Sequence, residues 1–370
     1  MRRFPLSAST LAISLSVFGC ILGGGACSDQ TSDAGVASGN KHDGGQSSDD
    51  DSGDPGDQDS GRTTTGDGGG PGFSSALSII VEPSDNGDGL LNAIKNAKTS
   101  VHMTMYLLTD NDIVNALVAQ NAAGHDVKVI LNQTFPSGQG NTNLTDYTTL
   151  HSAKASMVVW ASNAFTYTHE KCVIIDGKTA WIMTMNASTS APTSNREYLA
   201  VDTDPADVAE AEAIFEADFA HTPITPSGNL LVAPDNDKAR LRALIGNATK
   251  TLDLEVEELS DYDVVNDIAA RADVGVKVRV VLSDETPSSA QATGVSKLKS
   301  HGVSLVTVHD PYIHAKAIIV DGTSMYVGSA NLTQNSMEKN RELGIVTATA
   351  AVIAPVQTAI NSDFSAGSAL

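Results

Sequence analysis

Cysteine is scarce in this sequence, because its 370 residues include only three, Cys20, Cys27 and Cys172. The first two lie in the N-terminal leader described below, so the rest of the chain has no disulfide framework. Cys172 is expected to pack as a small apolar residue. Basic residues are also few, 23 against 44 acidic ones, which gives a formal net charge of −21. An acidic chain of this kind disfavours a polyanionic partner such as nucleic acid.

A long apolar run occurs at the N-terminus. Two arginines precede the stretch from Leu6 to Leu22, and small residues follow as far as Cys27. The pattern predicts a secretory signal peptide over residues 1–27, since the run is short for a membrane-spanning helix. The residues before Cys27 resemble a bacterial lipoprotein processing site, although Gly24 stands where that site prefers leucine. The protein is therefore expected to be secreted, or anchored to the cell envelope by a lipid on Cys27.

Large apolar side chains are almost absent from residues 28–75, which consist mainly of Gly, Ser, Asp and Thr. Such a stretch cannot bury surface, so a disordered tether is predicted. It holds ten aspartates and two basic residues, a net charge of −8. Because the two leader arginines contribute +2, residues 76–370 carry −15 of the total. The folded part is therefore acidic in its own right.

The remainder of the chain contains an internal repeat. Apolar strand patterns and amphipathic helix patterns follow one another in the same order from Leu77 and again from Leu230. This pattern predicts an α/β fold with two tandem domains, residues 76–225 and 226–370. We expect mixed, mainly parallel sheets covered by helices, with the two domains related by a pseudo-twofold axis.

Each copy carries the same polar motif on an apolar hairpin. The motif is His-x-Lys, four further residues and Asp, with a hydroxyl residue and an asparagine farther on. The first copy has His169, Lys171, Asp176, Thr184 and Asn186, and the second has His314, Lys316, Asp321, Ser329 and Asn331. Residues two apart on a strand share a face, so the histidine and lysine of each copy face the same space. One set is half of an anion site, and two facing sets would complete it.

Parts of the motif allow a purely structural interpretation. Asp176-Gly177 and Asp321-Gly322 favour tight hairpin turns, so the two aspartates serve either the turn or the chemistry. A lone histidine on a strand is usually packed or on the surface, but two motifs in register, each followed by Asn-Arg-Glu, are not due to chance. The remaining histidines have no repeat partner and are expected to be structural: His102, His125, His151, His221, His301 and His309.

These motifs resemble those of the phospholipase D superfamily, whose two-domain members carry His-x-Lys-x4-Asp followed by Gly-Ser-x-Asn twice. The resemblance extends over residues 76–370. It implies a monomer with its active site at the interface of the two domains, and no metal or other cofactor. One histidine would attack phosphorus to form a phosphohistidine, and the other would protonate the leaving alcohol. We assign His169 as the nucleophile and His314 as the acid, although the motifs also permit the reverse assignment.

The resemblance also implies supporting roles. The lysines of both motifs, Lys171 and Lys316, would cradle the phosphoryl oxygens together with substrate-binding residues, namely Thr184, Asn186, Ser329 and Asn331. Glu197 and Glu342, in the strands after the motifs, would hydrogen-bond the histidines and fix their tautomers. The first motif departs from the family pattern, because Met183 stands where the second motif has Gly328. Met183 is expected to add bulk near the pocket.

The motifs do not name the substrate, because the same chemistry cleaves phospholipids and nucleic acids. An exported chain with an acidic body favours a phospholipid at a membrane surface, cut on the headgroup side to give phosphatidate and an alcohol. A secreted, metal-independent nuclease is the first alternative. A phosphatidyl transferase of the cardiolipin synthase type is the next, and the lack of membrane spans after the leader counts against it. A non-catalytic phosphate-binding module is disfavoured, because both His-x-Lys pairs are intact.

Overall fold

The computed structural model describes residues 76–136 and 140–370. The predicted signal peptide, the predicted tether, Cys20 and Cys27 lie outside these residues. Among the helices described, none has both the length and the apolar character needed to cross a membrane.

The two halves are built from the same succession of elements. The strands of the first half are β1 (Leu77–Glu82), β2 (Ser100–Met105), β3 (Asp126–Leu131), β4 (Val158–Trp160), β5 (Lys171–Ile175), β6 (Thr179–Met183) and β7 (Asn195–Asp202). Its helices are α1 (Asp88–Asn96), α2 (Asn111–Ala122), α3 (Leu144–Ala153), α4 (Ala191–Ser194) and α5 (Pro205–Phe219), with a 3-10 turn at Ala155–Met157.

The second half repeats this order and adds two short strands. Its strands are β8 (Leu231–Ala233), β9 (Thr251–Val256), β10 (Lys277–Ser283), β11 (Ser304–Val308), β12 (Tyr312–Ile313), β13 (Lys316–Val320), β14 (Ser324–Gly328), β15 (Glu342–Thr347) and β16 (Ser368–Ala369). Its helices are α6 (Asp237–Gly246), α7 (Tyr262–Asp273), α8 (Ser289–Ser300), α9 (Gln334–Lys339) and α10 (Ala350–Ala366). The domain boundary predicted at residues 225 and 226 falls in the connection between α5 and β8.

The equivalent helices α2 and α7 begin and end with the same local signals. Asp110 and Asp261 precede them, and each carboxylate accepts hydrogen bonds from two backbone N–H groups of the first turn. Gly124 and Gly275 follow their C-terminal ends with φ of 91° and 90°, the left-handed conformation that glycine adopts at low cost. The repeat is therefore present in the capping residues as well as in the order of elements.

Each half contains a mixed sheet, as predicted. The strand order is β1-β7-β6-β5-β2-β3-β4 in the first sheet, with β12 on β7, and β16-β11-β10-β9-β13-β14-β15-β8 in the second. Parallel pairs do not predominate, however. Among the described strands, parallel pairing links β2 to β3, β3 to β4, β9 to β10, β10 to β11 and β7 to β12. The remaining pairs are antiparallel, because tight turns join each motif hairpin and a further strand returns beside it.

Both faces of each sheet are covered. On β5, Val173 and Ile175 belong to an outer core with α1 and α2, whereas Cys172 and Ile174 belong to an inner core with α5. The inner core continues into the second half through β13, β14 and α10. Burial raises the pKa of the Cys172 thiol well above its usual value, which agrees with the prediction that this residue packs as a small apolar one.

Candidate active site

Each motif hairpin closes through the turn that its Asp-Gly pair predicts. Asp176 and Gly177 have φ of 57° and 60°, and Asp321 and Gly322 have φ of 53° and 69°. In the first hairpin the N–H of Lys178 donates to the carbonyl of Ile175 at 2.9 Å. Positive φ at both central residues defines the type I′ turn that matches the twist of paired strands. The turns fix the register of both motifs.

The two aspartates of the motifs anchor these turns to the neighbouring strand. Asp176 accepts hydrogen bonds from the backbone N–H groups of residues 98–100 at 2.7 to 3.1 Å, and Asp321 does so from residues 249–251 at 2.7 to 3.2 Å. They lie at the far end of a five-residue strand from the lysines, about 16 Å away. The expected catalytic role of Asp176 and Asp321 therefore has no geometric support, and the turn interpretation accounts for both.

The histidines and glutamates pair across the two halves. Nδ1 of His169, in the first half, lies 3.1 Å from both carboxylate oxygens of Glu342 in the second. Nδ1 of His314, in the second half, lies 2.8 Å from Oε1 of Glu197 in the first. Both glutamates are fully buried. The two motifs therefore meet between the two halves of one chain.

Backbone pairing between the halves explains this exchange. The short strand β12, just before His314, pairs in parallel with residues 195 and 196 of β7, next to Glu197. In the same way, the backbone N–H of His169 donates to the carbonyl of Arg341, next to Glu342, at 2.9 Å. The residues that lead into each motif thus extend along the other half's Asn-Arg-Glu segment. Each histidine consequently meets the glutamate of the opposite repeat.

The arginines of the two Asn-Arg-Glu segments also cross between the halves. Arg196 binds Asp363 of α10 at 2.6 Å, and Arg341 binds Asp218 of α5 at 2.9 Å. Arg341 is 3% exposed, and its buried charge is balanced by Asp218 together with Asp235, 3.0 Å away. These ion pairs hold the C-terminal helix of each half against the Asn-Arg-Glu segment of the other half.

The hydroxyl residues of the motifs hold the glutamates. Thr184 donates to Oε2 of Glu197 at 2.5 Å, and Ser329 donates to Oε2 of Glu342 at 2.7 Å. Each hydroxyl also accepts the backbone N–H of the residue after its glutamate. Their expected role in binding the substrate is not supported, because these contacts use both the donor and an acceptor position. Asn195 and Asn340 reach the other carboxylate oxygen at 3.1 Å each.

The two lysines lie beside their histidines but differ in their partners. Both are fully buried, and each ammonium donates to the carbonyl oxygen of the histidine two residues earlier. Lys316 also donates to Oε2 of Glu257 at 2.7 Å. Lys171 instead lies 5.0 Å from the centre of the Tyr106 ring. Sequence reasoning missed both Tyr106 and Glu257. Each directly follows a strand that has a parallel neighbour, and binding sites often lie at the carboxyl ends of such strands.

The surroundings of the site set the protonation of its groups. Burial lowers the pKa of His169, and the nearby lysines lower it further against the effect of Glu342. Burial lowers the pKa of Lys171 to about 7. Burial alone would raise the pKa of Glu342, but His169 and Lys171 bring it below its usual value. At neutral pH these shifts favour a neutral imidazole at His169 beside an ionised Glu342.

The motif asparagines and Met183 lie in different surroundings. The side-chain Oδ1 atoms of Asn186 and Asn331 are buried without a hydrogen-bond partner, and Asn186 lines a cavity of about 200 Å³ at the N-terminal ends of α1 and α2. Met183 is fully buried in the outer core rather than near the pocket, contrary to expectation. In the second half Tyr326 fills the corresponding space, and a Cβ at Gly328 would lie 2.4 Å from its hydroxyl oxygen. The exchange of Met for Gly is thus a matter of core packing.

One group in the described part of the chain has metal-ligand geometry: His102, Glu212 and Glu216, whose ligand atoms lie within 4.8 Å of one another. Lys128 already binds Glu216, and His102 binds Glu212. The second half has an equivalent contact between sheet and helix, in which Arg279 joins Asp253 of β9 to Asn361 of α10. This repetition favours a structural bridge between sheet and helix over a metal site, as expected for His102.

A protein-family model described as "Cardiolipin synthase, PLD-like domain" matches residues 90–219 and again residues 241–364. Cardiolipin synthase 1 of Staphylococcus aureus is 24% identical to this chain over 307 residues, a match that covers 71% of this chain and 62% of that protein. The mitochondrial cardiolipin hydrolase of Xenopus tropicalis is 33% identical over 119 residues, which is 31% of this chain and 55% of that protein. The chain thus spans less than two thirds of these curated relatives.

Solved structures resemble the whole described fold. The phosphatidylserine synthase of Haemophilus influenzae superposes with a TM-score of 0.62 at 11% identity, covering 80% of this chain and 88% of that one. The polyphosphate kinase of Porphyromonas gingivalis superposes with a TM-score of 0.61 at 15% identity, covering 78% of this chain and 47% of that one. At these identities the likeness concerns the fold.

Proposed function

Since the chain belongs to the family of phospholipase D-like domains described as "Cardiolipin synthase, PLD-like domain", we propose that it is a phosphatidyl transferase acting on phospholipids. It would cleave the phosphodiester on the headgroup side and transfer the phosphatidyl group to an alcohol. The observation that carries this proposal is the pair of crossed His–Glu contacts, with both lysines alongside, at one site between the halves.

His169 is proposed as the nucleophile. Glu342 accepts from its Nδ1, which leaves the lone pair of Nε2 free to attack phosphorus. The lowered pKa of His169 supports this role, because a neutral imidazole is needed for the attack. The new P–N bond forms as the bond from phosphorus to the headgroup oxygen breaks. The product of this step is a phosphohistidine that carries the phosphatidyl group.

His314 is proposed as the general acid and then the base. It lies between two carboxylates, with Nδ1 2.8 Å from Glu197 and Nε2 3.5 Å from Glu257. In its protonated form His314 gives a proton to the leaving alcohol oxygen in the first step. In the second step it takes a proton from the incoming hydroxyl, which attacks phosphorus as the P–N bond breaks.

Hydrolysis is the second candidate function, because water can replace the alcohol in the second step. It is favoured by the similarity to a mitochondrial cardiolipin hydrolase over 119 residues. A nuclease is disfavoured by the net charge of −21, which repels a polyanion. Export and attachment to the cell envelope, with residues 28–75 as a tether, remain part of the proposal. The mature N-terminus and incorporation of labelled palmitate would test them.

The substrate test uses vesicles of phosphatidylglycerol and analyses the lipid products. Transfer gives cardiolipin and glycerol, whereas hydrolysis gives phosphatidate and glycerol. If neither lipid product forms and the protein nicks plasmid DNA in the presence of a chelator, the nuclease alternative is favoured instead.

The two histidine roles are tested with His169→Ala and His314→Ala. His169→Ala should abolish turnover of every substrate. His314→Ala should lower turnover of the lipid by about 10²–10⁴-fold. It should still release a rapid burst of p-nitrophenol from a p-nitrophenyl phosphodiester, because this leaving group needs no proton, while the second step remains slow without its base. If His314→Ala abolishes both activities and His169→Ala is the variant rescued by the activated substrate, the roles are reversed.

A further inference from the structure

The two halves place chemically different side chains at the same position of the shared site. Tyr106 follows β2, whose last residue pairs with Lys171. Glu257 follows β9, whose last residue pairs with Lys316. The two positions are therefore equivalent in the repeat, each one residue beyond the strand that adjoins a motif lysine. An aromatic ring stands in one half and a carboxylate in the other.

Glu257 contacts three polar groups in the second half of the site. Its Oε2 lies 2.7 Å from the Lys316 ammonium and 3.5 Å from Nε2 of His314. Its Oε1 accepts a hydrogen bond from the Tyr312 hydroxyl at 3.0 Å. Burial alone would raise the pKa of Glu257, but His314 and Lys316 hold it well below its usual range. The side chain is therefore an anion, and it neutralises Lys316.

Lys171 has no such partner. Within the described residues, its ammonium contacts the backbone oxygen of His169 and the face of Tyr106, and no carboxylate lies within ion-pair distance. The Tyr106 ring also packs edge-on against the His169 ring, with centroids 4.5 Å apart. The first half of the site thus presents a lysine without a counter-ion beside the imidazole. The second half presents a cation whose charge is already balanced.

This difference directs the phosphoryl group to one side. A phosphodiester anion approaching two buried lysines is attracted to the one without a counter-ion and repelled by the carboxylate beside the other. Phosphorus then lies next to His169. His314, whose Nε2 faces Glu257, is then the group that exchanges a proton with the alcohol.

We propose that Glu257 is the positioning residue that makes the two histidines unequal: by neutralising Lys316 and flanking His314, it holds the phosphoryl group against Lys171 and makes His169 the nucleophile. This inference rests on the proposed function, since it concerns the phosphohistidine formed there. Tyr106, the equivalent residue, leaves Lys171 free for the substrate.

The test locates the covalent intermediate. Full-length enzyme is mixed with a short-chain phosphatidylglycerol labelled at phosphorus and quenched, and the labelled histidine is found by peptide mapping. The wild type should carry label on His169 alone. Glu257→Gln frees Lys316, so label should appear on both histidines. The inhibition constant for inorganic phosphate should fall about fivefold or more, because a second unpaired ammonium becomes available. Glu258→Gln, the same change one residue away, is the matched control and should leave the labelling on His169.

The reciprocal variant guards against misfolding of Glu257→Gln. Tyr106→Glu places a carboxylate beside Lys171 and should move label from His169 toward His314. The inference is overturned if label stays on His169 alone in both variants and the phosphate inhibition constant changes by less than twofold. Absence of labelled histidine in the wild type would instead remove the proposed function. The dissociation constants for inorganic phosphate, measured by calorimetry without turnover, would then still show whether Glu257 neutralises Lys316.

Discussion

At the end of β2 the first half carries Tyr106 over an unpaired Lys171, and at the end of β9 the second half carries Glu257 bound to Lys316 at 2.7 Å. The motif histidines, the motif lysines and the glutamates that hold the histidines are the same in both halves. The halves therefore agree in the groups that form the site and differ in the charge that surrounds them. A duplicated fold supplies two similar sets of groups, and single substitutions at equivalent positions can give them different tasks.

The halves are also joined by exchange. Each histidine is held by the other half's glutamate, and each Asn-Arg-Glu arginine binds the other half's C-terminal helix. Such a site cannot form in one domain alone. Because of this exchange, a substitution in one half changes the surroundings of the histidine in the other half.

The largest expected effect comes from breaking the crossed pairs. Glu342→Gln and Glu197→Gln should each lower kcat for the lipid by about 10²-fold, because each histidine loses the carboxylate beside its Nδ1. Glu342→Gln should behave like the loss of His169, with no rescue by a p-nitrophenyl leaving group. Glu197→Gln should behave like the loss of His314 and be rescued. The opposite pattern would mean that each glutamate serves the histidine of its own half.

Glu170 is a buried acid whose equivalent position in the second half is not acidic, and it should lower the stability of the protein at alkaline pH. Glu170 is 2% exposed, and Ala315 occupies the equivalent position in the second half. Burial raises the pKa of Glu170 to about 8. The folded state therefore keeps a proton that the unfolded chain releases above about pH 4.5. The contribution of this group to stability is fully present below that pH and is lost as the pH rises toward 8.

Glu170→Gln should consequently raise the free energy of unfolding at pH 8 by about 2–4 kcal/mol and change it little at pH 4.5. Urea unfolding of both proteins at the two pH values measures this, and the acidic pH serves as the control. An equal gain at both values would show that titration of Glu170 is not the cause.

The pH dependence of activity should distinguish the two lysines. Burial lowers the pKa of Lys171 to about 7, so its charge is present below that pH and is lost above it. We expect kcat/KM to fall above about pH 7, by up to about tenfold per unit. Lys171→Arg, with a charge that does not titrate in this range, should remove this decline even if the maximal rate is lower. Lys316→Arg should retain it. A decline that survives in Lys171→Arg would assign the titration to another group.

The smallest expected effect concerns the turn aspartates. Asp176→Asn and Asp321→Asn should each destabilise the protein by about 1–2 kcal/mol, since an anion bound to several backbone N–H groups is lost. Their kcat should stay within twofold of the wild type. Thermal unfolding and a lipid assay on the same samples measure both quantities. A 10²-fold loss of kcat without destabilisation would restore the chemical role to these residues.

Much of the fold could be predicted because it depends on local patterns. The alternation of strands and helices, the caps Asp110 and Asp261 and the Asp-Gly turns all follow from side chains that act on their own backbone. The pairing of strands could not be predicted as well. Expecting mainly parallel sheets gave too little weight to the hairpins, each of which adds antiparallel neighbours. The bulk expected from Met183 near the pocket was wrong, because its side chain points to the outer core.

The sequence by itself determined the repeated groups of the site, since two motifs in register supply His169, Lys171, His314, Lys316 and their glutamates, but it did not point to Tyr106 or Glu257. Only the tertiary structure decided how they are paired. The contact of Glu197 with His314 depends on β12 joining a strand 117 residues earlier in the chain. The contact of Glu342 with His169 depends on the backbone bond between His169 and Arg341, and the place of Glu257 depends on which strand adjoins the second motif. Contacts between distant segments leave no periodic pattern in the sequence, because they depend on how the two sheets meet rather than on neighbouring residues.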